Sequence, residues 1–154
     1  MIIILNLLEL PESIQCGGKS YDVISIKDYA FANCSYLTDA YIYNDEYLYE
    51  GTGEIKLGKG IFENDTKLVR AYLMNNDIAL PDYTFKNCTK LKWVLSDDVR
   101  TPTAEDYADI ISVGEEAFYG CTAMRFGNIK YTDIEYIGKN AFVGLNDDQT
   151  GSLE

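Results

Sequence analysis

The chain has 154 residues, 47% of them apolar, enough for one domain with a continuous core. Its formal net charge of −12 and total lack of histidine set the first exclusions. Nucleic acid and anionic membranes call for a basic face, and without histidine the commonest general base and every Ser-His or Cys-His nucleophile pair are missing. We therefore expect a non-enzyme with no nucleic-acid partner.

The start, MIIILNLLEL, is apolar but carries no basic leader and no small-residue cleavage site, so it does not read as a signal peptide. No apolar run approaches a membrane span, so no membrane insertion is expected. From there the chain is organised by five phenylalanines, Phe31, Phe62, Phe85, Phe118 and Phe142, spaced 31, 23, 33 and 24 residues apart. A period in this range, with two insertions spliced in, predicts stacked units that bury a shared core.

Each unit opens on a short strand. Five residues before the Phe stands Ile26, Leu57, Leu80, Val113 or Ile137, and seven before it Ile24, Ile55, Ile78 or Ile111, with Ile134 substituting beside Glu135. Apolar residues at spacing two mark a half-buried strand. The Phe itself sits in a stretch too short for a normal helix, read as one helical turn. Two residues later comes Asn33, Asn64, Asn87, Gly120 or Gly144, the residue types that tolerate the left-handed conformation ending such a turn. Leu37, Leu68, Leu91 and Met124 recur six after the Phe, ahead of a second strand. That strand alternates. Ala40, Ile42, Ala71, Leu73, Val94, Gly127 and Ile129 are expected inward. Asp39, Tyr41, Tyr43, Arg70, Tyr72, Met74, Trp93, Leu95, Phe126, Asn128 and Lys130 are expected outward.

The run LPESIQCGGKSYDVISIKDYAFANCSYL from Leu10 resembles the BspA-type leucine-rich repeat of bacterial surface proteins, whose usual pattern is a strand ending in Ile-Pro, a Gly-Lys-x-Tyr hairpin, an Ile-Gly-x-x-Ala-Phe turn, then Asn-Cys-x-x-Leu. The likeness extends from Leu8 to Leu145. Lys27 and Pro81 replace a usual Gly, Asp65 and Leu145 replace a Cys, and the last copy loses its Leu at Asp148. The resemblance implies a leucine-rich-repeat solenoid, β-rich with one short helical turn in each of about five repeats. It would fill residues 1–154 as a single domain that begins mid-repeat and ends on a degenerate copy. It also implies a cell-surface or extracellular location and a recognition or adhesion role toward a protein or glycan. The alternative is a structural assembly subunit, such as a bacteriophage decoration protein.

The smaller motifs point to structure. Cys34, Cys88 and Cys121 share one repeat position, and with no CxxC spacing and no histidine we expect a buried ladder of reduced thiols, with no metal site. Gly53–Lys59 imitates a phosphate-binding loop, but Gly60 stands where a magnesium-binding hydroxyl belongs, and no cofactor is expected. Asn33, Asn64 and Asn87 each open a glycosylation sequon that the repeat's own turn chemistry explains. The acidic tail from Asn146 lacks the twelfth-position acid of a calcium loop.

A partner therefore has to meet a surface. Tyr41, Tyr43, Arg70, Tyr72, Met74, Trp93, Leu95 and Phe126 form the candidate patch, in residue types enriched at binding hot spots; cross-strand packing is the competing explanation. The acidic, tyrosine-bearing insertions at residues 43–53 and 97–109 are a second candidate, set against plain solvated loops. Met1–Leu10 is expected to make an ordered contact with a second copy or another subunit, the alternative being that Met1–Leu5 folds back as a cap over the core.

Overall fold

The computed structural model describes residues 6–11, 13–42, 55–73, 77–96, 98–130 and 133–146. Among these residues there are nine short strands, which fall into three sheets, and two 3-10 helices. β1 (Leu7–Leu10), β4 (Asp39–Ile42), β5 (Arg70–Leu73) and β7 (Trp93–Leu95) form a four-stranded parallel sheet in that order. β6 (Ile78–Leu80), β8 (Ile110–Val113) and β9 (Tyr136–Ile137) form a parallel sheet of three. Upstream of it, the same unit position is paired by a single parallel bridge between Ser25 and Lys56. β2 (Ser13–Cys16) and β3 (Lys19–Asp22) make an antiparallel hairpin, closed by Gly17 and Gly18 at φ 58° and 76°. Two central residues with positive φ match the right-handed twist of a hairpin, and glycine accepts them without strain.

The phenylalanines form the spine. Successive rings stack with centroids 5.9, 5.6, 5.5 and 5.7 Å apart from Phe31 to Phe142, and Phe62, Phe85 and Phe118 are fully buried. Beside this column lie Leu37, Leu68, Leu91 and Met124, then the inward residues Ala40, Ile42, Ala71, Leu73 and Val94, all buried. No single unit could bury a Phe on both ring faces, so the core exists only as a stack.

The stretch around each Phe is a pair of tight turns rather than the expected helical turn. The residue two after the Phe is left-handed in every unit, from 61° at Asn87 to 89° at Gly144. So is the residue two before it: Tyr29, Gly60, Tyr83, Glu116 and Asn140 have φ between 53° and 62°. With the chain reversed at both places, the N–H groups of these two residues and of the Phe all point to the next unit. Tyr29, Phe31 and Asn33 donate to the carbonyls of Lys59, Ile61 and Glu63 at 2.8, 3.1 and 2.9 Å. The same three-bond ladder recurs at each following junction, ending with Glu116, Phe118 and Gly120 donating to Lys139, Ala141 and Val143. Gly58, Gly114 and Gly138 serve the same close approach: a Cβ on any of them would lie 2.4 Å from backbone of the preceding unit.

Candidate functional site

The outer face of the four-stranded sheet carries two in-register rows. Leu7, Asp39, Arg70 and Trp93 make one; Glu9, Tyr41, Tyr72 and Leu95 make the other. In the first row Arg70 Nε pairs with Asp39 Oδ1, an interaction that raises the Arg70 pKa. The other Asp39 oxygen accepts the Thr38 hydroxyl at 2.7 Å. Trp93 is half-buried, with the Lys92 ammonium 5.6 Å from its ring centre.

The second row departs from expectation. Tyr72 and Leu95, expected outward and open, are both fully buried. Residues 98–109, the second insertion, run along this face as a strap. The Tyr41 hydroxyl donates to Asp98 Oδ1 at 3.4 Å, Leu95 pairs antiparallel with Tyr107, and Ser96 and Ala108 N–H groups bond to Asp106 and Val94 carbonyls at 3.0 Å. A short 3-10 helix, Ala104–Asp106, stiffens the strap, with Asp106 accepting the Thr103 N–H at 2.8 Å. Beneath it the Tyr41 and Tyr72 rings stack at 4.1 Å, and burial raises the pKa of both phenols. Tyr72 is thus a packing residue, as the competing explanation of the tyrosine stripe required.

Phe126 is also displaced from its expected place. The fourth unit does not form its second strand: Phe126–Asn128 is a 3-10 helix around an exposed Gly127, which was expected inward. Glycine weakens a strand interior, and the strap has already taken the edge of β7. Phe126 is exposed and leans on Phe142, 5.4 Å away, while Asn128 ties the strap down by accepting the Tyr107 hydroxyl at 3.3 Å. Tyr43, Met74, residues 43–53 and Met1–Leu5 lie outside the described residues. Of the eight candidate positions the structure therefore brings Tyr41, Arg70 and Trp93 together on the partly open rim of this face.

The column three residues after each Phe is mixed. Cys88 and Cys121 are buried and donate their thiols to the Phe62 and Phe85 carbonyls at 3.0 and 3.1 Å, but Cys34 is exposed, contrary to the buried ladder expected. Asp65 occupies this column between Cys34 and Cys88. It is fully buried, accepts the Cys34 N–H on Oδ1 at 2.7 Å, and leaves Oδ2 without a partner, so burial lifts its pKa to about 7. The sequon asparagines are structural: the Asn64 and Asn87 amides donate to the Asn33 and Asn64 side-chain oxygens at 3.2 and 2.9 Å.

The turn side holds a tyrosine surface that periodicity did not single out. Lys86 lies 5.1 Å over the Tyr83 ring and 5.8 Å from the Tyr119 ring, and pairs with Glu116 at 2.7 Å. The signal available was tyrosine at the same turn position in two units, Tyr29 and Tyr83. Among the described residues no cluster of three acids or thiols is placed to hold a metal ion, and no helix is long and apolar enough to cross a membrane.

The profile of the BspA type leucine-rich repeat region (6 copies) matches residues 12–99 and 98–149. The chain belongs to this family, which points to a surface or protein-binding repeat module. No curated protein and no solved structure matches it.

Proposed function

We propose that the chain is a single leucine-rich-repeat solenoid that works as a non-enzymatic recognition module, binding a protein or glycan at a bacterial or host cell surface. The observation that carries this reading is the rim of the strand face, where Arg70 and Trp93 stand in register beside Tyr41. Three neighbouring strands of the parallel sheet hold the three side chains, so little conformational entropy is lost on binding. Trp, Tyr and Arg supply large contact area and directed hydrogen bonds, the features of interface anchors. Asp98 on the strap and the pairing of Asp39 with Arg70 keep the rim polar, suiting sugar hydroxyls or a basic protein surface. The overall charge of −12 steers toward partners that are basic or uncharged.

The test compares wild type with Trp93→Ala and Arg70→Ala in a screen of glycans and matrix proteins. Both variants should lose at least tenfold in affinity for any ligand found while keeping a cooperative melt. Full binding by both variants would move the site off this face.

A further inference from the structure

The two ends of the stack are complementary, and the three-bond ladder defines how. At every junction the earlier unit supplies N–H groups and the later one carbonyls. Among the described residues, the last unit is left with the Asn140, Phe142 and Gly144 N–H groups making no such bond, and the first with the Asp28, Ala30 and Ala32 carbonyls accepting none. The apolar positions behave alike. Ile24 is 67% exposed in the first unit where its equivalents Ile55 and Ile78 are 7% and 6%, and Ile137 is 56% exposed in the last where Val113 is 0%. Each end thus lacks what the other offers.

We propose that copies of this chain stack head to tail, the last unit of one donating to the first unit of the next through the same ladder that joins units within the chain. The contact lies between the first and last units and is independent of the ligand face. Charge fits the same register. Within the chain, Lys59, three residues before its Phe, pairs at 2.8 Å with Asp82, three before the next. Across the new junction the equivalent residues are Lys139 and Asp28, a lysine and an aspartate in the same order. Lys27 moderates the contact. It holds the position where Gly58, Gly114 and Gly138 let backbones approach, although Pro81 occupies that position with all three ladder bonds intact. Stacking between copies is therefore weaker than an internal junction. Because the contact is heterologous and leaves a free end on each copy, it grows an open series rather than a closed dimer.

Sedimentation velocity across a concentration series tests this with three variants, each first checked for a wild-type melt. Wild type should show a mass rising with concentration past the dimer. Ile24→Lys and Ile137→Lys should each be monomeric alone, yet an equimolar mixture should give a one-to-one heterodimer and nothing larger, since one good end survives on each partner. Lys27→Gly should extend the series to lower concentration, by roughly tenfold or more. A monomeric wild type with a monomeric Lys27→Gly, a closed dimer, or a mixture that stays monomeric would each overturn the proposal.

Discussion

Asp65 should make the protein lose stability as pH rises through the neutral range. Its carboxyl is fully buried, one oxygen has only the Cys34 N–H and the other has no partner. Burial therefore favours the neutral acid and lifts the pKa from an ordinary 3.8 to about 7. The sign follows from proton binding. Between those two values the folded state holds a proton that the unfolded state has released, so unfolding becomes easier with each step upward in pH. The stabilising contribution is complete below pH 3.8 and gone above about 7. A gap of roughly three decades at about 1.4 kcal/mol each amounts to about 4 kcal/mol. Other carboxylates pull the opposite way: Lys59 and the Glu115 N–H hold Asp82 below its usual pKa, and Lys86 does so for Glu116. Asp65→Asn removes the titration with little change of shape, so wild type minus variant isolates it. Urea unfolding from pH 4 to 8 should show that difference falling by several kcal/mol, most of it below about pH 7. A difference that stays flat with pH, or a Asp65 carboxyl titrating near 4 by carbon-13 NMR, would refute the reasoning.

Thiol chemistry should separate the four cysteines. Cys16 and Cys34 should alkylate in the native protein, Cys34 more slowly because burial and the nearby Asp65 carboxylate disfavour its thiolate; Cys88 and Cys121, the latter pushed up to about 12 by burial, should react only on unfolding, as mass spectrometry would show. Tyr72→Ala and Leu95→Ala should each cost about 2–5 kcal/mol by chemical denaturation, the range for emptying a buried site. A loss under about 0.5 kcal/mol, typical of exposed positions, would mean that the strap does not seal the face.

The repeating core was legible because burial within a stack imposes one residue type at one spacing. The Phe column, Leu37, Leu68, Leu91, and the alternation of Ala40, Ile42, Ala71 and Leu73 all follow from that constraint. The hairpin was expected from the Gly-Lys-x-Tyr resemblance, and the structure closes it with Gly17 and Gly18. The left-handed residues ahead of each Phe were not, because Tyr29, Tyr83 and Glu116 carry no mark of the conformation and accept it only for the ladder bonds it directs. Alternation also tells which side of a strand a residue occupies but not what lies over that side. Tyr72 and Leu95 sit in phase with Tyr41, as expected; the 98–109 strap that covers them is the insertion following β7, and alternation within a strand carries no sign of where such an insertion folds back. Gly127 was the one available sign that the fourth unit would not complete its second strand.

Trp93 is the only tryptophan in the chain, so its emission reports on the rim and nowhere else. Titrating the protein with a ligand from the glycan and matrix-protein screen should shift and saturate that emission with the same midpoint as binding measured independently. In Arg70→Ala the shift should vanish at the same ligand concentrations. Saturable binding that leaves the Trp93 spectrum unchanged would contradict recognition at this face.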